Sequence, residues 1–132
     1  MFQPTSALSI FSVNDLAQAS AFYRDILGLQ VDEEGVWLTL HLPGGGTVLV
    51  YPKNNHQPAT YTTLGFVVEN IDEAVAELQS RGVSFERYAG MSQDEKGIRR
   101  GLVNHIGPDI AWFHDPAGNI LAVLQQVRIQ RR

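Results

Sequence analysis

Apolar positions along this chain alternate between two periods. An alternating run from Ala7 to Phe11 gives way to a helical one, in which Leu16, Ala19, Tyr23, Ile26 and Leu27 fall on one face. The same succession returns later, with an alternating run from Thr62 to Val67 followed by Ile71, Ala74, Val75 and Leu78 on one helical face. Each period predicts a strand leading into an amphipathic helix. Asp15 with Gln18, and Asn70 with Glu73, have the spacing of a capping box, with Asp and Asn in place of Ser or Thr. Gly28 and Gly82 supply the stops, because a helix commonly ends on a residue in the left-handed region that glycine enters freely.

The repetition extends to the residues themselves. Val13-Asn14-Asp15-Leu16-Ala17-Gln18-Ala19 matches Val68-Glu69-Asn70-Ile71-Asp72-Glu73-Ala74 at an offset of 55. The stretch from Trp37 to Val50 matches that from Ile110 to Val123 at an offset of 73. Each of these later stretches holds an apolar strand, a His, a turn containing Pro and Gly, and a second apolar strand, which predicts a β-hairpin. The offset grows because the second half carries extra residues between Glu86 and Pro108. The expected fold is α+β: two tandem βαβββ modules forming a curved mixed sheet, with helices on the outer face. Module one spans about 5–52, a turn-rich linker covers 52–59, and module two spans about 60–127, all within a single domain.

Two stretches carry a family resemblance over nearly the whole chain. Residues Val13 to Gly28 resemble the pattern V-x-D-L-x-x-S-x-x-F-Y-x-x-x-L-G, and Asp115 to Ala122 resemble D-P-D-G-N-x-x-E, both of the vicinal-oxygen-chelate superfamily of glyoxalases, bleomycin-resistance proteins and extradiol dioxygenases. The resemblance implies a metal ligand on each of four strands, at positions that here are Leu8, Leu49, Thr63 and Ala122. Leu and Ala cannot ligate a divalent cation, and a lone Thr hydroxyl is a poor ligand. Neither a metal nor another cofactor is therefore expected, and dioxygenase chemistry has no support. What the resemblance leaves is a concavity with apolar walls. By strand parity Leu8, Ile10 and Ser12 share one wall, Leu49 and Tyr51 a second, Thr63 and Val67 a third, and Ala122 and Leu124 a fourth. A closed core packed by the same residues is the alternative.

Composition narrows the setting. Hydrophobic residues make up 44% and charged residues 18%, as in ordinary globular domains, and no apolar run approaches the roughly 20 residues of a membrane helix. The N-terminal MFQPTSALSI does not predict a secretory signal, since it has no basic region or cleavage site. The chain has 0 cysteines, which excludes disulfides, Cys–zinc sites and thiol nucleophiles and agrees with a cytoplasmic location. A net charge of -4 argues against nucleic acid as a partner, and the local basic tail, Arg128, Arg131 and Arg132, reads as a solvated end.

Few residues remain for chemistry. His41 and His114 are repeat mates beside their hairpin turns, His56 lies in the linker, and all three are expected at the surface. The 86–108 insertion lacks periodicity, and loops of that length are often lids or binding loops. Asp94, Glu95 and His105 within it are the candidate general acids or bases. Trp112 faces the cavity if its hairpin pairs it with Ala122, and its indole then stacks on a ligand. Trp37 reads as structural. The leading expectation is metal-independent binding of a small, largely apolar organic molecule by a homodimer, with Leu8, Ile10, Leu49, Tyr51, Thr63, Trp112 and Ala122 lining the site. A glyoxalase-type lyase or isomerase using a lid residue as base, and a partner-binding domain with a closed core, are the alternatives.

Overall fold

The computed structural model describes residues 1–127, so the basic tail Arg128, Arg131 and Arg132 lies outside the described residues. The chain divides into two compact units at the Pro58–Ala59 boundary. Each carries a four-stranded mixed sheet and one helical segment in βαβββ order.

In the first unit, strand β1 (Ser9–Val13) leads into helix α1 (Leu16–Ala21), followed by a π-helical turn at Phe22–Ile26 and strands β2 (Gln30–Glu33), β3 (Leu38–His41) and β4 (Thr47–Pro52). The sheet order is β1-β4-β3-β2, with β1 parallel to β4 and the other pairs antiparallel. The Asp15 side chain accepts the Gln18 N–H at 3.0 Å and so caps α1 as the spacing predicts. The Leu27 N–H reaches Phe22 O, five residues back, which widens the last turn before Gly28 ends it at φ 72°. Val13, Ala19, Tyr23, Leu38, Leu40, Val48 and Val50 are buried. Ser20 on α1 donates to Glu33 at 2.8 Å, and Glu33 pairs with Leu38. Strand alternation then puts Leu38, Leu40, Val48 and Val50 on the α1 side, and Ile10, Leu49, Thr39 and Asp32 on the face turned away from it.

The second unit holds β5 (Thr62–Val67), α2 (Ile71–Ser80), β6 (Arg99–Arg100), β7 (Asp109–His114) and β8 (Ile120–Gln125), in sheet order β5-β8-β7-β6. Asn70 caps α2 by accepting the Glu73 N–H at 3.1 Å. At the other end Gly82 has φ 91°, and the bonds Gly82 N–H to Gln79 O and Val83 N–H to Leu78 O close the helix in a Schellman motif. Ile71 and Val75 are the buried helix residues, and Asp109, Ala111, Phe113, Leu121, Ala122 and Val123 the buried strand residues, so Ala122 is covered although it faces away from α2.

The two hairpin turns have the same backbone plan. Leu42 N–H bonds Gly46 O and Gly45 N–H bonds Leu42 O; Asp115 N–H bonds Asn119 O and Gly118 N–H bonds Asp115 O. Gly45 (φ 102°) and Gly118 (φ 83°) occupy the left-handed position in both. The second turn adds a side-chain clasp. Asp115 Oδ1 accepts the Ala117 and Asn119 N–H groups, each at 2.9 Å, and Oδ2 accepts Asn119 Nδ2 at 3.0 Å. Both side chains are buried, so the D-P-x-G-N motif acts here as a turn lock.

Candidate functional site

The face of each sheet turned away from its own helix carries the candidate positions. In the second unit the helix side is identified by Arg100, which makes a bidentate pair with Asp72 of α2 at 2.7 and 3.1 Å. Arg100 pairs with Asp109 in the ladder. Asp109, Ala111 and Phe113 therefore point toward α2, and Arg99, Ile110, Trp112 and His114 point away. Trp112 lies directly across from Ala122, and Ala122 across from Gly65, so one transverse row reads Gly65-Ala122-Trp112. In the first unit the equivalent row reads Ile10-Leu49-Thr39-Asp32. The two rows match at the sequence offsets of 55 and 73.

The rows differ from the expected lining in two places. Leu8 precedes β1 and is 49% exposed, and Ile10, at 60% exposed, is the residue beside Leu49. Thr63 drops out of the β5–β8 ladder at an irregularity between Thr62 and Leu64, and its hydroxyl donates to Ile120 O at 3.2 Å. The hydroxyl that meets Trp112 belongs instead to Thr62, which accepts the indole N–H at 3.1 Å. Tyr51, opposite Ser12, lies toward the end of β4 and is exposed. Trp37, read as structural, precedes β3 and is 39% exposed. Tyr88 was not foreseen at all. Its ring stands edge-on to Trp112 with centroids 5.5 Å apart, and its buried hydroxyl has no hydrogen-bond partner among the described residues. Burial, and then the nearby Glu86 carboxylate, push the Tyr88 phenol up, so it stays protonated.

The histidines at the hairpins are more engaged than surface turns suggest. His41 Nε2 lies 2.7 Å from Asp32, and its repeat mate His114 has Nδ1 3.1 Å from Glu86. The His41 hydrogen bond holds the Asp32 carboxyl below its ordinary value. His56 is half-buried, with Nδ1 2.6 Å from Ser12 Oγ, so the linker is tied to β1. None of these contacts is local in sequence, and side-chain type alone gave no signal for them.

The insertion is organised by Asp94. Its Oδ1 accepts the Lys96 and Ile98 N–H groups at 2.9 Å, and its Oδ2 accepts Arg100 Nε at 2.9 Å. Burial works against the charge, but these hydrogen bonds outweigh it and the carboxyl is lowered. Asp94 is thus committed to its loop. Glu95 and His105 are exposed, and His105 has φ 56° in a turn. The loop borders a half-open cavity of about 460 Å³ lined by Met91, Ser92, Ile98, Arg99, Asn104 and Ile106 among others. Asp94 also lines it, whereas Glu95 and His105 do not, so the three lid candidates do not converge.

A family model described as the Glyoxalase/Bleomycin resistance protein/Dioxygenase superfamily matches residues 7–123. The chain belongs to this superfamily. Its fold is similar to that of TnmS3, an antibiotic binding protein from Streptomyces sp. CB03234, with 24% identity, TM-score 0.65 and coverage of 96% of this chain and 100% of that one. It is similar to the fosfomycin resistance protein FosX from Listeria monocytogenes, with 15% identity, TM-score 0.66 and coverage of 96% of both chains. It is also similar to lactoylglutathione lyase from Agrobacterium tumefaciens, with 21% identity, TM-score 0.61 and coverage of 92% of this chain and 94% of that one. No curated protein matches it.

The superfamily's metal does not fit the residues present. Of Leu8, Leu49, Thr63 and Ala122 only Thr63 has a donor atom, and its hydroxyl is engaged by Ile120 O. Among the described residues no group of three or more His, Asp or Glu side chains converges as a cation site. No helix among them is long and apolar enough to cross a membrane.

Proposed function

We propose that this superfamily member is a metal-independent binding protein for a small, largely apolar organic molecule, held against the face of the second sheet turned away from α2. The observation that carries this reading is the pairing of Trp112 with Ala122. The part-exposed indole stands beside the small, fully buried Ala122 and against the Tyr88 ring, and the Thr62 contact fixes it, so its remaining surface is a flat apolar platform. Ile10, Leu49 and Tyr51 lie on the corresponding face of the first unit's own sheet, with Leu8 just before β1, and Thr63 lies in β5 of the second unit. Two structural relatives are named for antibiotics, and a flat drug-like cargo suits such a surface. A lyase or isomerase reading needs a base at the site; Asp94 is engaged by three hydrogen bonds, and the exposed Glu95 and His105 do not line the insertion cavity.

A thermal-shift screen of planar aromatic compounds, run with and without a chelator, tests the proposal together with elemental analysis. The expected result is stabilisation that the chelator leaves unchanged, with less than stoichiometric metal. One tightly held ion per chain that raises the melting temperature would overturn it. We take the working form to be a cytoplasmic homodimer. Light scattering at micromolar concentration should give twice the one-chain mass of 14.6 kDa, and a species of only that mass refutes the dimer.

A further inference from the structure

Two adjacent arginines in β6 have opposite circumstances. Arg100 points toward α2 and lies 3.7 Å from Asp109, and its pairs with Asp72 and then Asp94 push its guanidinium up. Arg99 points to the other face, and its side chain makes no ion pair or hydrogen bond with any described residue. It lines the 460 Å³ insertion cavity, where Ser92 also has no side-chain partner and where Met91, Ile98 and Ile106 supply apolar wall. Asp94 and Arg100 also line the cavity, and there they pair with each other at 2.9 Å. An Arg presents up to five donors in a planar fork that matches a carboxylate or phosphate, and leaving all of them without a protein partner at a cavity wall is unusual.

Arg99 is also placed near the Trp112 face. It pairs with Ile110, and Trp112 lies two residues further along β7 on the same side. One strand spacing and two residues of rise put their Cα atoms roughly 8 Å apart. A molecule of two fused rings spans that distance.

We infer that Arg99 is the counter-ion for an anionic group on the ligand, which makes the ligand an organic acid or phosphate with an apolar, aromatic body. The inference rests on the Trp112 reading for the body and on the insertion cavity for the charged end. The carboxylate or phosphate takes two hydrogen bonds from the guanidinium, with the Ser92 hydroxyl as a further donor at the cavity wall.

Three probes with one ring system separate the parts: 1-naphthoate, 1-naphthyl phosphate and the neutral 1-naphthalenemethanol. Calorimetry at low salt is expected to show at least one anion binding roughly tenfold or more tightly than the alcohol. Which anion wins distinguishes a carboxylate from a phosphate ligand. Arg99→Gln, at a side chain with no structural partner, should remove the preference while leaving alcohol affinity and melting temperature unchanged. Arg99→Lys should keep part of it. The Arg99 Nε–H resonance should move with the anions and stay with the alcohol. An anion preference that survives in Arg99→Gln overturns the inference. Equal binding of all three probes also overturns it, while leaving the Trp112 face standing if Trp112→Ala weakens them. Conversely, inorganic phosphate moving the Arg99 resonance, with no naphthyl probe altering Trp emission, supports the anion site and overturns the Trp112 reading.

Discussion

Trp112 and Ala122 lie directly opposite each other in the β7–β8 ladder, on the face turned away from α2, with the indole N–H held by Thr62 at 3.1 Å. With its polar tip held and Tyr88 packed edge-on against it, the indole offers its remaining exposed area as an apolar surface. A bound aromatic molecule contributes about 0.5–1.5 kcal/mol from ring geometry beyond the area it buries. Trp112→Ala should therefore weaken such a ligand by roughly tenfold or more. Trp37→Phe should leave affinity alone and removes the other source of indole emission. The readout is fluorescence titration of wild type and both variants, and equal affinity in Trp112→Ala places the ligand elsewhere.

The Asp115 clasp predicts a stability effect of a different origin. Its carboxylate is buried and accepts two backbone N–H groups and the Asn119 amide. Asp115→Ala leaves those donors without an acceptor inside the fold, a loss of about 2–4 kcal/mol. The urea midpoint should fall with the slope of the transition unchanged. A change below about 0.5 kcal/mol would mean that the backbone plan shared with the Leu42 turn holds the hairpin without the side chain.

How far the sequence revealed this fold depends on the range of each interaction. The caps at Asp15 and Asn70, the stops at Gly28 and Gly82, and the Trp112–Ala122 register all follow from local periodicity and turn residues, and the structure has each of them. The displacement of Thr63 at the β5 irregularity had no local signal, because a one-residue slip in a Thr-Thr pair changes no pattern. β6 is two arginines long and has no alternation to detect. Its opposed roles for Arg99 and Arg100 become visible only when Asp72, some 28 positions away, is seen to pair with one of them. The same holds for His41 with Asp32 and His114 with Glu86, whose partners come from neighbouring strands or the insertion.

Gly101 is a test of how tightly the insertion closes. A Cβ there would collide with Pro108 O and lie 2.7 Å from Gly107 O, both backbone atoms that cannot swing aside. Gly101→Ala should cost about 1–3 kcal/mol. Gly46→Ala is the matched control, since its Cβ would meet only Leu42 Cδ1 at 3.8 Å. It should be neutral or stabilise by about 0.4–1 kcal/mol through the unfolded chain. Equal midpoints for the two variants in urea would show that the 101–108 turn relaxes freely.

Acid should weaken the second unit through one ion network. The Arg100 guanidinium, and then Lys96, hold Asp72 well below the usual carboxylate range, and Asp94 is lowered as well. A carboxylate depressed in the folded state binds fewer protons there than in the unfolded chain, so it adds stability above the unfolded value of about 3.9. That stability is lost as pH falls through the folded value. The decline should begin below about pH 5 and continue past pH 2, because the folded Asp72 still carries charge there. The Asp72 side chain is 41% exposed, so solvent screening reduces the size of the effect without changing its sign. Arg100→Met removes the partner of both carboxylates and should lower stability at pH 7. Below pH 4 it should flatten the decline, since Asp72 then titrates closer to its unfolded value with only Lys96 beside it. Urea midpoints of both proteins from pH 2 to pH 7 supply the measurement. Parallel curves for wild type and Arg100→Met would place the acid sensitivity in other carboxylates, with the His41–Asp32 pair next to be tested.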